Sequence, residues 1–579
     1  METGRSRRRL LLYLLLAGLL ARVVYQHQVA ALPFFQDPVG DSARHLERAR
    51  EILAGNLLPD RPFFYGGILY PWVLAAFALV FGANLYPVVL AQALAGCLLS
   101  WLLYRLAVAC VPPGRRRAGR RAGMIAAALA LFYGPLAFLE ADILMVSWTL
   151  PALAMAGILL LRACRKGRDL IGPAGAAGLL LALAATERPN LVALLPVGAV
   201  WIAAAFPARA RLRGAACLLG ASALVLAPVA WMNHAASGRW VLLTTSGGIN
   251  FSIGNHPGAR GTFEEPWSAD THATARDTDL ESASQAWASR GAGSPLDAVE
   301  TSRWWWAQGW SWVRSAPAAA GRLAARKLAL LWNDQEPPNH LHFAFLRETA
   351  PALWLMPITF AWIAPAGLYG LLWPGPRRGR DQSATALLAL LVAVPMMTVL
   401  PFFVADRYRI AMVPPLMVCA GFGLERLGRL ARIPGGRTWA AGSAAAMVVA
   451  GWILARPLLE FDRSRDYWMM AQAWKKAGAL EEAVSGYGKA IALAPDDAVL
   501  RNNLGVLLAG MGRVPEAEQE YRRAIALDPS LAFPHKNLGL LLARTGRREE
   551  ALVHLAKARE SEPQDREILQ ALEAMGETP

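Results

Sequence analysis

The sequence predicts an all-α protein with two parts, a polytopic membrane domain followed by an α-solenoid. The membrane domain, residues 1–456, is predicted because apolar runs near the ~20 residues of a bilayer-spanning helix recur throughout it. The solenoid, residues 463–579, is predicted because its charged, Ala- and Leu-rich sequence repeats at a fixed period. The composition agrees, since 55% of the 579 residues are hydrophobic and 18% are charged.

The arginines predict the orientation of the membrane domain. A net charge of +16 would favour nucleic-acid binding in a soluble protein, but here the arginines lie in short clusters between apolar runs. Such clusters are typical of cytoplasmic loops, so no nucleic-acid partner is expected. The clusters are Arg5–Arg9, Arg115–Arg121, Arg162–Arg168, Arg209–Arg213, Arg377–Arg380 and Arg426–Arg437.

These clusters separate about eleven predicted spans and place the N-terminus in the cytoplasm. The first span follows Arg5–Arg9 without a clear small-residue cleavage site, so we expect it to be retained. The run Ile68–Phe81 is short, carries Pro71 and would invert every later loop if it spanned, so we interpret it as a juxtamembrane or re-entrant helix. The predicted spans are 10–24, 86–111, 122–139, 143–163, 170–186, 191–206, 214–232, 351–373, 383–404, 409–427 and 438–455.

This topology puts most of the polar loops on one side of the cytoplasmic (inner) membrane. The first loop, residues 33–66, and the long loop, residues 233–349, are both predicted to be extracytoplasmic. The same side is predicted to hold the turn at Glu140 and Asp142, the ERPN turn at 187–190 and ADRYR at 405–409. The C-terminal repeats are predicted to lie on that side as well. We therefore expect the chemistry of the protein at this face.

Columns of identical residues recur every 34 positions after the last span. Glycines stand at Gly478, Gly512 and Gly546, and NNLG at 502–505 returns as KNLG at 536–539. This is the pattern of tetratricopeptide repeats, in which small residues permit close helix crossing. About three repeats are predicted. Their groove is expected to bind a peptide or another protein, and the alternative is a cap that stabilises the membrane domain.

A charged helix is predicted directly after the first span, within FFQDPVGDSARHLERAREILAGN at 34–56. Asp41 and Ser42 precede a helical pattern in which Leu46 and Ile52 belong to the apolar side. Such a helix is expected to lie flat at the outer interface. The pattern leaves two roles open for Asp41: a helix cap, which contributes ~1 kcal/mol, or a catalytic carboxylate.

The same stretch contains a short motif made of Asp41, Ser42, His45, Ala49, Ile52 and Gly55, and GILYPWVLAAFALVFGAN follows it at 67–84. This arrangement resembles the membrane-embedded GT-C glycosyltransferases. It is most similar to the protein mannosyltransferase and lipid A aminoarabinose transferase group, glycosyltransferase family 39, over about residues 8–430. The resemblance implies a GT-C-like helical fold and an enzyme that takes a sugar from a polyprenyl phosphate.

The resemblance implies catalytic roles for two aspartates. Asp41 matches the first-loop aspartate of the family, the favoured base for an acceptor hydroxyl. Asp142, in LEADILMVSW, matches the second external acidic position and would assist the acceptor or a cation. The alternative for Asp142 is a cap on the span that is predicted to begin at Ile143.

Basic residues near the outer face are candidates for binding the phosphate of the lipid donor. Arg407 and Arg409 of DRYR stand where a span re-enters the membrane, and Arg188 of ERPN and Lys327 are further candidates. The alternatives are interface anchors and a salt-bridged loop that includes Asp406.

Five further residues are candidates for binding substrate. Asn255 and His256 lie in GNHPG, which recurs in related glycosyltransferases with repeat tails, although a turn histidine is the alternative for His256. Tyr65, Glu336 and His45 complete the set, and His45 stands where the family often has tyrosine. Asn339 follows the family pattern without an assigned role.

No cofactor is certain from the sequence. No acidic pair or His/Asp cluster in the chain demands a metal, and a divalent cation stays an open possibility. The five cysteines, Cys97, Cys110, Cys164, Cys217 and Cys419, lie in or beside apolar segments without metal-ligand spacing. Neither a disulfide nor a cysteine metal site is therefore expected.

The predicted function is inverting transfer of a hexosyl or pentosyl group from a polyprenyl-phosphate donor to an acceptor hydroxyl. The expected partners are that donor, membrane lipids, and a protein or glycan acceptor that the repeats could recruit. One alternative is an enzyme like the O-antigen polymerases and ligases. The other is a membrane-anchored tetratricopeptide scaffold without enzymatic activity.

Overall fold

The computed structural model describes residues 2–36, 38, 40–166, 170–206, 208–264, 266, 280–338, 341–372 and 380–576. These residues form helices and connecting turns, with one isolated β-bridge between Tyr133 and Ile358. The helices are α1 Glu2–Ala30, α2 Pro33–Gln36, α3 Gly40–Leu53, α4 Tyr70–Phe81, α5 Tyr86–Cys110, α6 Arg116–Leu131, α7 Gly134–Glu140, α8 Val146–Lys166, α9 Ile171–Glu187, α10 Leu194–Ala205, α11 Ala208–Ser237, α12 Gly247–Gly254, α13 Leu280–Ala292, α14 Ala298–Ser315, α15 Pro317–Trp332, α16 Phe343–Thr349, α17 Phe360–Leu372, α18 Arg380–Val399, α19 Asp406–Arg409, α20 Val413–Leu430, α21 Gly436–Leu454, α22 Ser464–Lys476, α23 Leu480–Leu493, α24 Ala498–Gly510, α25 Val514–Leu527, α26 Ala532–Arg544, α27 Arg548–Ser561 and α28 Arg566–Ala574.

The chain divides into two compact units. The first unit comprises Met1–Ala31 and Pro38–Leu459, and the second comprises Leu32–Asp37 and Glu460–Pro579. The division after Leu459 falls in the short stretch between the two predicted domains.

The first unit has the helices of an integral membrane protein. In the described part of the chain, six helices are long and apolar enough to cross a bilayer: Arg8–Ala30, Tyr86–Cys110, Val146–Cys164, Ala210–Ser237, Gln382–Val399 and Asp406–Leu430. Four shorter apolar helices accompany them: Tyr70–Phe81, Ile171–Glu187, Pro189–Ala205 and Phe360–Leu372. The total of about eleven spans stays a prediction.

Helix α4 corresponds to the run that was interpreted as juxtamembrane or re-entrant. At 1.5 Å per residue its 12 residues extend about 18 Å, which is less than the ~30 Å hydrocarbon core of a bilayer. It ends at Gly82, whose φ of 65° is in the region that favours glycine. The apolar sequence therefore forms a helix here that is too short to cross a bilayer by itself.

The continuous span predicted over 122–139 is divided into α6 and α7. The break is held by backbone pairing, because the N–H of Gly134 donates to Ile358 and the N–H of Ile358 donates to Phe132, at 2.9 and 3.0 Å. A Cβ atom at position 134 would lie 2.6 Å from the carbonyl oxygen of Met356. The glycine thus permits an approach that the apolar pattern of the sequence does not reveal.

A buried ion pair lies beside this break. The Nε atom of Arg22 in α1 is 2.7 Å from Oε2 of Glu140, and both side chains are buried. The Arg22 guanidinium also donates to the carbonyl oxygens of Ala130 and Leu131, which the end of α6 leaves without helical partners. A Cβ atom at position 96 would lie 1.9 Å from Oε1 of Glu140, so Gly96 makes room for the carboxylate. Glu140 is therefore part of the packing rather than of an exposed turn.

The Arg22–Glu140 pair leads to a stability prediction. Glu140→Gln removes one charge and leaves the buried guanidinium uncompensated, which typically costs about 3–5 kcal/mol. We expect a clearly lower melting temperature for the purified protein in detergent. Glu425→Gln is the matched control. Glu425 pairs with Arg121 and Arg429, which are about half exposed, so this variant should lower the melting temperature less. Equal melting temperatures for Glu140→Gln and the native protein would contradict the prediction.

The second unit contains the predicted repeats as helix pairs. Helices α22 and α23, α24 and α25, and α26 and α27 pack as pairs, and α28 follows. The recurring glycines Gly478, Gly512 and Gly546 have φ angles of 79°, 77° and 80° at the turn inside each pair, which explains their spacing. Within NNLG, a Cβ atom at Gly505 would lie 2.6 Å from the ring of Tyr521, so the motif marks the close crossing of α24 and α25.

A histidine pair joins the helices of the last repeat. The Nδ1 atoms of His535 in α26 and His554 in α27 are 2.9 Å apart. One ring must carry the proton and the other must accept it, so two protonated rings cannot keep this contact. Burial lowers the pKa of both imidazoles, and the charge of Lys557 lowers that of His535 further. The folded repeat therefore favours neutral histidines.

This pair predicts a pH-dependent repeat. The unfolded histidines titrate near pKa 6.5, and the folded values lie lower, so the unfolded state binds more protons as the pH falls below about 6.5. Stability should be full above pH 7 and decline towards pH 5. Hydrogen exchange of α26 and α27 in the full chain, corrected for intrinsic rates, measures this decline. His554→Gln should reduce the pH dependence, and an unchanged dependence in that variant would refute the assignment.

Candidate active site

Asp41 lies in the first turn of α3, directly after Gly40, whose φ is 61°. Its carboxylate stands between two guanidinium groups. Nη1 of Arg407 donates to Oδ2, and Nη1 of Arg44 lies 3.4 Å from Oδ1. The side chains of Asp41 and Arg407 are 15% and 17% exposed, so the pair is largely shielded yet reachable. A long-range ion pair thus connects the first loop to the DRYR segment.

Asp142 is joined to the same helix by a hydrogen bond. The hydroxyl of Ser42 donates to Oδ1 of Asp142 at 2.6 Å, and the N–H of Ile143 donates to the same oxygen at 2.8 Å. The following helix begins at Val146, so Asp142 does not cap a helix that begins at Ile143. Because Ser42 directly follows Asp41, the two predicted acidic positions come together at the start of α3.

A buried glutamine fixes the turn that carries Asp142. The Nε2 group of Gln92 in α5 donates to the carbonyl oxygens of Glu140 and Asp142, both at 2.8 Å. Its Oε1 atom accepts from the hydroxyl of Tyr70 in α4 at 2.7 Å. Gln92 is fully buried, and these bonds occupy both hydrogens of its amide. Sequence reasoning missed this residue, although an amide inside an apolar run is an expected sign of a functional or packing role.

Arg188 brings the ERPN turn to the same place. Its Nη1 group donates to the carbonyl oxygen of Arg407, and the residue is buried. The Nε groups of Arg188 and Arg407 are buried and have no hydrogen-bond partner among the described residues. Unpaired buried donors are costly. We call Arg188 and Arg407 the basic pair: the guanidinium of Arg188 contacts the backbone of Arg407, and each residue has an unpaired Nε donor that could bind an anion.

Arg409 was predicted to bind the donor phosphate, and Glu336 to bind substrate, but the structure pairs these residues with each other. Nη2 of Arg409 lies 2.5 Å from Oε1 of Glu336, and the guanidinium also donates to the carbonyl oxygens of Asn333 and Gln335. Both side chains are buried. Burial raises the pKa of the Glu336 carboxyl, and the charge of Arg409 opposes this rise. Arg409 therefore holds the DRYR segment in place, while Arg407 faces Asp41.

The other predicted basic residue, Lys327 in α15, is buried in the long loop. Its Nζ group donates to Oδ1 of Asn255 at 3.3 Å. Burial lowers the pKa of this amine to about 8. The Nδ2 group of Asn255 in turn donates to the carbonyl oxygens of Phe251 and Pro401, both at 2.7 Å. Lys327 and Asn255 thus brace the chain that leads into DRYR.

His256 and His45 have local contacts in the structure. Nδ1 of His256 accepts from the N–H of Gly258 at 3.3 Å, a contact within the turn that carries this histidine. His45 is buried with its ring edge against Tyr70, at 5.4 Å between centroids, and a Cβ atom at Gly67 would lie 2.3 Å from it. Burial lowers the pKa of His45 to about 4, so this imidazole stays neutral near pH 7.

Tyr65 lies close to Asp41, to which Arg44 connects it. The guanidinium of Arg44 stands 4.0 Å above the centre of its ring, and Arg44 also contacts Asp41. Asn339 lies outside the described residues. Among the described residues there is no group of three or more His, Cys, Asp or Glu side chains that could hold a metal ion. Dependence on a divalent cation stays a prediction.

The geometry brings together Asp41, Asp142, Arg188 and Arg407 from four separate stretches of the sequence. A carboxylate beside two guanidinium groups can accept a proton from one ligand while the cations stabilise negative charge on another. The site thus has the groups needed for displacement of an anionic leaving group by a hydroxyl.

Two parts of the chain match known families. Residues 60–232 match the family described as dolichyl-phosphate-mannose-protein mannosyltransferase, and residues 498–527 match a tetratricopeptide repeat. The predicted resemblance to membrane glycosyltransferases with tetratricopeptide repeats is therefore confirmed. Among curated protein sequences there is no significant match.

The solved structures that are similar to this chain include the following two. One is the archaeal oligosaccharyltransferase AglB from Archaeoglobus fulgidus in complex with an inhibitory peptide and a dolichol-phosphate, with 14% identity, a TM-score of 0.41, and coverage of 82% of this chain and 59% of that chain. The other is ArnT from Cupriavidus metallidurans bound to undecaprenyl phosphate, with 14% identity, a TM-score of 0.41, and coverage of 98% and 89%. This chain thus spans 59% of the length of the archaeal protein.

Proposed function

We propose that the protein is an inverting glycosyltransferase that moves a sugar from a polyprenyl phosphate to an acceptor hydroxyl at the extracytoplasmic face of the cytoplasmic membrane. The observation that carries this proposal is the Asp41–Arg407 ion pair beside Arg188. In this pair a carboxylate, which can accept a proton, lies against a guanidinium, which can bind an anion. The dolichyl-phosphate sugar in the name of the matching family belongs to the same chemical class of donor.

The basic pair suits the phosphate of the donor. Arginine binds phosphate through charge-assisted hydrogen bonds, and the buried Nε groups of Arg188 and Arg407 lack partners among the described residues. A phosphate at Arg407 would also compete with the carboxylate of Asp41 for its guanidinium. Donor binding would thereby release Asp41 to receive the acceptor hydroxyl.

Transfer would then proceed in one displacement. The acceptor oxygen forms a bond to the anomeric carbon and gives its proton to Asp41, while the bond from that carbon to the phosphate oxygen breaks. The electron pair of this bond leaves on the polyprenyl phosphate, whose growing charge Arg407 and Arg188 stabilise. Attack opposite the departing phosphate inverts the anomeric configuration. Asp142, bonded to Ser42, would orient the acceptor.

The acceptor is proposed to be a protein or a glycan. A tetratricopeptide groove usually binds a peptide or another protein, and helix pairs of this type form the second unit. We propose that the repeats recruit the acceptor and that the membrane domain transfers the sugar. If the protein transferred no sugar, the same repeats would indicate a membrane-anchored scaffold.

Asp41→Asn tests the catalytic role. The purified full chain, supplied with a polyprenyl-phosphate hexose and a simple acceptor, should lose turnover by about 10²–10⁴-fold, the usual contribution of a general base. Glu47→Gln is the matched control, because Glu47 lies exposed on the same helix and should leave turnover unchanged. Melting temperatures confirm that both variants fold. Full turnover in folded Asp41→Asn would refute the role of this carboxylate.

A further inference from the structure

The segment Asn333–Pro337, which follows α15, has no regular secondary structure. Its backbone groups therefore depend on partners from elsewhere in the fold. The carboxylate of Asp334 accepts from the hydroxyl of Thr359 at 3.0 Å and from the N–H of Ala361 at 2.6 Å. These bonds fix the segment to the start of α17.

One side of this segment holds the DRYR residues. The N–H of Asp406 donates to the carbonyl oxygen of Pro337 at 3.0 Å. Arg409 donates to the carbonyl oxygens of Asn333 and Gln335 and pairs with Glu336. Arg407 lies between these two anchored residues, so the position of its backbone follows that of the segment.

The other side of the segment holds the chain as it leaves α21. Gln335 makes three hydrogen bonds there: its Oε1 atom accepts from the N–H groups of Leu458 and Leu459 at 2.6 and 2.8 Å, and its Nε2 group donates to the carbonyl oxygen of Leu459 at 2.7 Å. Asn333 donates to the carbonyl oxygens of Leu454 and Arg456 at 2.7 and 2.8 Å. We call these five bonds the exit clamp.

The exit clamp satisfies backbone groups that the end of a helix leaves unpaired. The carbonyl oxygen of Leu454 also accepts from the N–H of Asp334 at 2.8 Å. Leu454 is the last residue of α21, and its carbonyl would otherwise lack a helical partner. Two side chains separated by one residue thus set the path of Leu454–Leu459 and lie on the same segment that fixes DRYR.

We propose that Gln335 and Asn333 are positioning residues. They fix the chain that leaves the last helix of the membrane domain to the segment that holds Arg407. The kinetic part of this proposal rests on the proposed function. Release of the clamp loosens the segment 333–337, and the anchors of Asp406 and Arg409 loosen with it. The guanidinium of Arg407 then loses its fixed place beside Asp41.

Gln335→Leu in the full chain tests this coupling by two measurements. Hydrogen exchange should rise in Leu454–Leu459 and also in 405–409, which Gln335 does not touch through its side chain. Turnover with a polyprenyl-phosphate hexose should fall about ten- to a hundredfold, since small misplacements of a catalytic group are costly. The KM for the acceptor should stay within about twofold, and turnover is expressed per folded protein, because a smaller active fraction would also lower the apparent kcat without changing KM.

Two further variants calibrate the result. Gln335→Glu keeps the acceptor for the N–H groups of Leu458 and Leu459 and loses the donor, so its effect should lie between those of the native protein and Gln335→Leu. Gln285→Leu is the matched control, because Gln285 donates to the carbonyl oxygen of Leu296 at 2.7 Å far along the chain from the clamp. It should change neither the exchange of 405–409 nor turnover.

The outcomes separate this proposal from the proposed function. Faster exchange confined to Leu454–Leu459, with turnover unchanged, would overturn the coupling. If the native protein transfers no sugar from any polyprenyl phosphate, the proposed function fails. In that case the hydrogen exchange of residues 405–409 in Gln335→Leu still shows whether the exit clamp positions this segment.

Discussion

The ion pair between Asp41 and Arg407 is the interaction on which the arrangement of the candidate site depends. It joins the helix after the first span to a segment more than three hundred and sixty positions later in the chain. The carbonyl oxygen of Arg407 also accepts from Arg188, so one residue connects α3, the ERPN turn and DRYR. Breaking a largely buried pair of charges is costly, because the charge that remains loses its partner. Arg44 is a second cation at the Asp41 carboxylate, and the Nε group of Arg407 is left without a partner among the described residues.

Polar networks around this pair keep its parts in register within an otherwise apolar protein. Gln92 holds the turn of Asp142, and the Arg409–Glu336 pair holds the segment of Arg407. Such networks raise specificity rather than net stability, because desolvating each group offsets much of the gain from its bond. Arg22 and Glu140 follow the same rule beside the break between α6 and α7. In each case a buried polar group ties together segments that are distant in sequence.

The sequence predicted the parts of the structure that depend on local pattern. The apolar runs predicted the six long apolar helices of the described residues, and the 34-residue period predicted a tetratricopeptide repeat after the last span. The order of the motifs and their shared side predicted one site for Asp41, Asp142, Arg188 and Arg407. The same reasoning also assigned Arg409 and Lys327 to that site, and the structure pairs them with Glu336 and Asn255. These inferences need only composition, spacing and a topological rule.

The remaining features depend on pairings that a single sequence does not encode locally. Arg407 and Arg409 look alike in DRYR, and the position of Glu336 decides which of them is committed to the loop. The apolar run over 122–139 hides a break that requires Gly134 and the distant Ile358. His45 resembles a ligand residue by motif, yet Gly67 and Tyr70 enclose it. Long-range contacts between buried polar groups therefore decide which of these residues line the candidate site and which hold neighbouring segments in place.

The most direct test of the account is the proximity of Asp41 and Arg407 in the membrane. In a cysteine-free background that replaces the five native thiols, Asp41→Cys with Arg407→Cys should be joined efficiently by a short bifunctional thiol reagent. Glu47→Cys with Arg407→Cys should not, because Glu47 lies on the exposed side of the same helix. Equal cross-linking of the two pairs, or none in either when both thiols react singly, would contradict the central claim.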